Sequence, residues 1–201
     1  MKNFDLHTIR HSAEHIMHQA VKELFPKIML AMGPATNEGF YNDFDPNGIK
    51  ITEQDFAKIE KRMQELVKLD LPIIKMEISE KDARDLFKDN PYKLEWIDGI
   101  VKEKSPITIY WTGKPNEKNS FVDLCSGPHV KKTGQIGPFK LLSVAGAYWH
   151  GDEENKMLTR IYGTCYPTKE EHNKFLWQKE RLKKEITVSS AWNLIFGRIQ
   201  I

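Results

Sequence analysis

The sequence predicts an α+β fold, a mixed or antiparallel sheet packed with a long N-terminal helix and further helices. Three observations predict it. Leu6, Ile9, Ala13, Ile16, Met17, Ala20 and Leu24 recur at about 100° per residue, which is the stripe of an amphipathic helix. Short β-rich runs follow, each bounded by Gly, Pro or Asn. Helical and extended segments then mix without the strict alternation that a parallel sheet needs.

The elements follow in order. Asp5 is positioned to cap the first helix, and Pro26 stops it near Phe25. On its wheel His11, His15 and His18 fall opposite the apolar stripe, which predicts a solvated polar face. Residues 28–36 and 39–45 read as two strands, separated and ended by Gly33–Pro34 and Pro46–Asn47–Gly48. Thr52 caps a helix to about Leu69, with Phe56, Ile59, Met63, Leu66 and Val67 on its buried face. A β run from Pro72 to Ile78 precedes a short helix opened by Ser79. Residues 91–100 read as a helix ending near Gly99. Residues 107–111, 121–124, 139–149 and 157–166 read as strands, and Thr168 caps a last charged helix to about Lys184.

The totals bound the function. The 201 residues are 40% hydrophobic and 29% charged, enough for a core without staples. A net charge of +2 gives no strong basic field, although contact with a short single-stranded end is still allowed. Cys125 and Cys165, the only cysteines, imply no disulfide framework and suit a reducing compartment. The first ten residues lack a signal-peptide apolar run, and no window reaches the roughly 18–20 apolar residues of a membrane span. The expectation is a soluble cytoplasmic protein.

Two short pieces carry the chemistry. His11-x-x-x-His15 stacks two imidazoles on one helix face. Cys125-x-x-x-His129 adds a thiol and an imidazole around the Gly127–Pro128 turn. On ligand chemistry alone, three imidazoles and one thiol are a tetrahedral zinc set. His11–Ser12–Ala13–Glu14–His15 also fits the inverted zinc-peptidase pattern H-x-x-E-H, in which the glutamate activates water, though a further carboxylate ligand cannot be identified. A third reading makes Cys125 a nucleophile with a histidine base.

Longer motifs surround these residues. R-H-S-A-E-H-I-M-H-Q-A-V-K-E-L-F-P, M-G-P-A-T-N-E-G-F-Y, D-L-C-S-G-P-H-V, F-K-L-L-S-V-A-G-A-Y-W and N-K-M-L-T-R-I-Y-G-T stand in that order. In wording, order and separation they resemble the N-terminal editing domain of bacterial threonyl-tRNA synthetases, from about Asp5 to Lys184. Alanyl-type editing domains share only the two residue pairs.

The resemblance implies a single editing domain over 1–184 that hydrolyses seryl-tRNA(Thr) at the aminoacyl ester. Serine lacks one methyl of threonine, a difference that one binding pocket resolves only by about 10–200-fold, so a second hydrolytic sieve is needed. Carried over by position, the catalytic set is His11, His15, Cys125, His129 and Lys93, with Asp123 and Tyr41 as substrate contacts. His11 or His15 is expected to activate water, and Cys125 with His129 to hold substrate and oxyanion. Lys93 is expected to bring positive charge to the ester, and Asp123 to take the ammonium or an adenosine group. No metal is required on this reading; zinc on His11, His15, Cys125 and His129 is the alternative. The expected partner is the 3′ end of tRNA(Thr), with no membrane and a monomeric state. The rival class is an acceptor-end binding module or inactive remnant.

Departures from the family text are Asn42 after Tyr41 in place of a second tyrosine, and Ser126 and His150 in place of arginines. An aminoacylation core is not expected. Residues 185–201 depart as well, reading I-T-V-S-S-A-W-N-L-I-F-G from Ile186. Codons permitted for that run, read in a neighbouring frame, can spell a charged linker of the family. The tail is therefore expected to be out of frame in a truncated synthetase gene, which the gene's nucleotide sequence decides.

Overall fold

The structure is a computed structural model and describes residues 4–196. Helix α1 (Leu6–Leu24) starts where Asp5 accepts the Thr8 N–H at 2.8 Å, as its sequence asks. A four-stranded antiparallel sheet lies against the apolar stripe. It is built from β1 (Met29–Met32), β2 (Phe40–Asp45), β6 (Phe139–Tyr148) and β7 (Met157–Cys165), in the order β1-β2-β7-β6. Helix α2 (Phe56–Lys68) closes this core after a single 3-10 turn, in which Asp55 accepts from the Thr52 N–H at 2.9 Å. Ile16 and Met17 of α1, Phe40 and Phe44 of β2, Ile59 and Met63 of α2 and Ile161 of β7 are fully buried in it.

A second antiparallel sheet holds β3 (Ile73–Glu77), β4 (Thr108–Thr112) and β5 (Phe121–Leu124), in that order. Helices α3 (Glu80–Leu86) and α4 (Pro91–Lys102) pack beside it through Ala83, Phe87, Ile97, Ile107 and Ile109. The predicted α+β architecture therefore takes the form of two antiparallel sheets. Helix α5 (Lys169–Phe196) follows β7 and continues as helix past residue 185; residues 197–201 of the C-terminal segment lie outside the described residues. Among the described residues no helix is long and apolar enough to cross a membrane.

Two expectations are corrected here. Gly99 does not end its helix. It sits on the exposed side of α4, where a side chain would meet nothing, so its cost of roughly 1 kcal/mol is borne by the packing of Tyr92 and Ile97. The histidine face of α1 is not solvated. Ser12, Glu14, His15, His18 and Gln19 are all buried, because β5 and the turns on either side of it lie over that face and supply partners to Ser12, His18 and Gln19. The helix is thus covered on both sides, by apolar contacts toward the four-stranded sheet and by polar contacts toward the three-stranded one.

Candidate active site

The site forms where α1 meets the end of β5. Cys125 leaves β5, and the chain doubles back at Gly127 so that His129 returns over the thiol. Gly127 has φ +78°, and a Cβ there would lie 2.1 Å from the Tyr110 hydroxyl, so a side chain is excluded on both counts. The Cys125 Sγ stands 3.2 Å from His129 Nε2, 3.4 Å from His11 Nε2 and 3.2 Å from the Gly127 N–H. The His129 ring lies 4.1 Å from both the His11 and the His15 rings and 4.5 Å from Tyr110.

Hydrogen bonding assigns the His129 tautomer. Ser12 Oγ donates to the Thr8 carbonyl at 2.8 Å and accepts the Val130 N–H at 3.0 Å. Its remaining lone pair faces His129 Nδ1 at 3.3 Å, which therefore carries the proton. His129 Nε2 is left as an acceptor, and the Cys125 S–H donates to it. Sequence reasoning gave Ser12 no role. Its signal was a hydroxyl next to a site histidine on a helix, which is too common to notice without the fold.

Behind these groups lies a buried charged network. Lys93, in the first turn of α4, reaches Asp123 of β5 at 2.6 Å. The other Asp123 oxygen binds His18 Nδ1 at 2.8 Å, and Glu14 approaches the same nitrogen at 3.5 Å. Burial pushes the Asp123 carboxyl upward, but Lys93 and the His18 hydrogen bond outweigh it and hold Asp123 well below the carboxylate range. Lys93 and Asp123 are only 5% and 3% exposed, so neither is a solvated surface charge.

The site opens into a cavity of 510 Å³. His11, His15, Lys93, Asp123 and Cys125 form its floor together with Glu14 and His18, and Met32, Pro34, Trp96 and Pro106 line its approach. Five carried-over residues and Asp123 are thus brought together. Tyr41 is not. Strand alternation turns Phe40, Asn42 and Phe44 toward α1, and Tyr41 to the opposite face of β2, where the Arg160 guanidinium covers its ring at 4.0 Å. Asn42 is buried and donates to the Glu14 carbonyl at 3.3 Å; its seat requires Gly33, where a Cβ would meet Asn42 Oδ1 at 1.5 Å. Ser126 is exposed at the cavity edge, and His150 is bound to Glu95 away from it.

Protonation states follow from burial. It pushes the Cys125 thiol up to about 12, against the Gly127 N–H, so a thiolate nucleophile is not supported at neutral pH. It holds His11 at about 4 and His129 at about 2, and it lowers His15 and His18. These imidazoles are neutral in the fold and take up protons on unfolding once pH drops below about 6.5. The unfolded chain then binds more protons than the native one, so their contribution to stability is lost as pH falls from about 6.5 toward the folded values. Glu14 acts with the opposite sign. Burial and Asp123 raise its carboxyl, so its contribution is lost as pH rises through the window above 4.5. Four imidazoles against one carboxyl set the direction. The melting temperature is expected to be lower at pH 5 than at pH 7, and His129→Gln should flatten that dependence; calorimetry at the two pH values checks both.

The ligating atoms of His11, His15, Cys125 and His129 lie within 4.8 Å of one another. A tetrahedral zinc with bonds of about 2.0–2.3 Å sets its donors roughly 3.3–3.8 Å apart, so this donor set has the chemistry for such an ion and would draw in by up to about 1 Å to hold it.

An α1 histidine pair thus faces a Cys–His turn on a framework of two antiparallel sheets. The family model for the Threonyl and Alanyl tRNA synthetase second additional domain matches residues 107–162, which contain β4, β5, Cys125 and His129. Beyond that segment the chain is similar to threonine–tRNA ligases. It is 48% identical to that of Rubrobacter xylanophilus over 178 residues, which is 89% of this chain and 26% of that protein. It is 48% identical to that of Thermotoga maritima over 169 residues, 83% of this chain and 25% of that protein. For Streptococcus sanguinis the identity is 42% over 179 residues, 89% of this chain and 27% of that protein. The chain belongs to the threonyl-tRNA synthetase editing-domain family, and it spans about a quarter of the length of these relatives.

Proposed function

We propose that the chain is an aminoacyl-tRNA deacylase that hydrolyses seryl-tRNA(Thr) at its 3′ end and spares threonyl-tRNA(Thr). The observation that carries the reading is the convergence of His11, His15 and Cys125 in the lining of a 510 Å³ cavity, with the His129 imidazole against the Cys125 thiol. That volume suits a ligand far larger than a free amino acid, such as an aminoacyl group with its terminal nucleoside. The site residues are assigned to 1–184, with 185–201 as a tail, and the chain acts as a monomer in a reducing cytoplasm that leaves both thiols free.

The chemistry is an acyl transfer to water. A water oxygen attacks the ester carbonyl carbon while a neutral imidazole of α1, His11 or His15, accepts its proton. Lys93 keeps positive charge beside the floor as the carbonyl oxygen becomes negative. The C–O bond to the ribose then breaks, and the proton passes to the departing ribose oxygen. Serine and a free tRNA end are the products. Ser12 acts indirectly, by fixing which nitrogen of His129 faces Cys125.

The test is incubation of the full chain with seryl-tRNA(Thr) and threonyl-tRNA(Thr). Rapid loss of serine with threonine retained is expected. No deacylation above the buffer rate would favour a binding module or remnant. The four-donor cluster favours one second reading, a zinc site on His11, His15, Cys125 and His129, where the ion would polarise the carbonyl or acidify water. On the metal-free reading a chelator leaves the rate unchanged. Loss of activity on chelation and its return with zinc would select the second.

A further inference from the structure

Glu14 is a buried acidic group of the site that the carried-over set does not use, and only one of its carboxyl oxygens meets the charged network. Its carboxyl is 1% exposed and lines the cavity floor. Oε1 faces His18, but Oε2 has no hydrogen-bond partner among the described residues. A buried oxygen left this way costs about 1–3 kcal/mol and asks for a reason. Its position supplies one. Oε2 lies 3.8 Å from His15 Nε2 and 4.0 Å from His11 Nε2. Both distances are too long for a direct bond. They are the spacing of groups that share one small atom, since an oxygen at about 2.8 Å from each would join all three.

We infer that Glu14 is a catalytic residue that holds the attacking water, its Oε2 forming with His11 Nε2 and His15 Nε2 a three-point cradle for one oxygen. The inference rests on the hydrolytic reading above and names the group that completes it. Three hydrogen bonds, one to each of these groups, hold the water oxygen. One lone pair is left for the ester carbon. In the reaction that pair forms the new C–O bond, one imidazole takes the water proton, and the ribose oxygen leaves and is protonated.

Other occupants fit less well. The substrate ammonium would compete with the water for both α1 imidazoles. Lys93 already balances Asp123 at 2.6 Å, so the network has no charge for Glu14 to neutralise. The H-x-x-E-H spacing thus has a use that requires no metal: it sets two acceptors and one carboxyl around the same point.

The test separates water handling from folding and from substrate binding. Wild type, Glu14→Gln and Glu14→Ala are compared in seryl-tRNA(Thr) deacylation. In parallel, their affinity for 3′-serylamido-adenosine, the amide counterpart of the ester, is measured. The expected result is a kcat about 100-fold lower for Glu14→Ala, with the affinity within twofold of wild type, and a smaller loss for Glu14→Gln, whose amide still offers the water a hydrogen bond. Formate, a small carboxylate, should restore part of the rate to Glu14→Ala. Should Glu14→Ala melt early, Glu14→Asp keeps the carboxyl but withdraws it, and about a tenfold loss in kcat at unchanged affinity is expected. A Glu14→Ala variant with wild-type kcat overturns the assignment alone, leaving the deacylase reading in place. A rate and an affinity that fall together overturn it too, because Glu14 then holds substrate or structure. A wild-type protein that turns over no seryl-tRNA overturns both.

Discussion

His129→Ala is expected to lower seryl-tRNA(Thr) deacylation by at least about 100-fold, with little change in affinity for the amide analogue. The imidazole touches every member of the cluster: its ring packs on His11, His15 and Tyr110, and its Nε2 takes the Cys125 hydrogen. Removing it frees the thiol hydrogen and lets the α1 imidazoles tilt, and misplacement on that scale commonly costs two orders of magnitude. Ser12→Ala separates orientation from chemistry. It leaves all four groups present but removes the acceptor of the Nδ1 proton, together with the acceptor of the Val130 N–H. About a tenfold loss in kcat at unchanged KM is expected. Single-turnover deacylation on both variants checks the pair, and equal losses for the two would contradict an orienting role.

The largest effect on stability is expected from Asp123→Ala. It leaves the Lys93 ammonium, 5% exposed, without its carboxylate and His18 without its acceptor. Breaking a buried pair from one side typically costs about 3–5 kcal/mol, because the remaining charge stays desolvated. The paired replacement Lys93→Met with Asp123→Leu should cost much less, since no charge is left behind. Urea titration of the three proteins measures this. A double variant as unstable as Asp123→Ala would mean that the pair itself, rather than its balance, holds the fold.

Much of this could be read from residues alone. The period of α1, its Asp5 cap and the Ser79 start are local features and stand as expected, while Thr52 caps the 3-10 turn that leads into α2 rather than α2 itself. The His11–His15 and Cys125–His129 pairs were legible as chemistry, and the longer motifs placed them in one family. Other features depend on partners far along the chain. The histidine face of α1 reads as polar and solvated because its acceptors, Asp123 and the 125–129 turn, lie more than a hundred residues away. Ser12 and Glu14 gain meaning only from that juxtaposition. Tyr41 illustrates a different limit. Strand parity sets it opposite Phe40 and Asn42, so its distance from the cavity was implicit in the sequence once the buried face of β2 was known.

Lys93 and Asp123 line a second cavity as well, one of 390 Å³ that reaches Trp111, Phe121 and Leu30 from the other side of α4 and β5. Their ion pair is therefore common to both linings. On the proposed deacylase reading, shortening either side chain is expected to join the two cavities and to give the released serine a second way out.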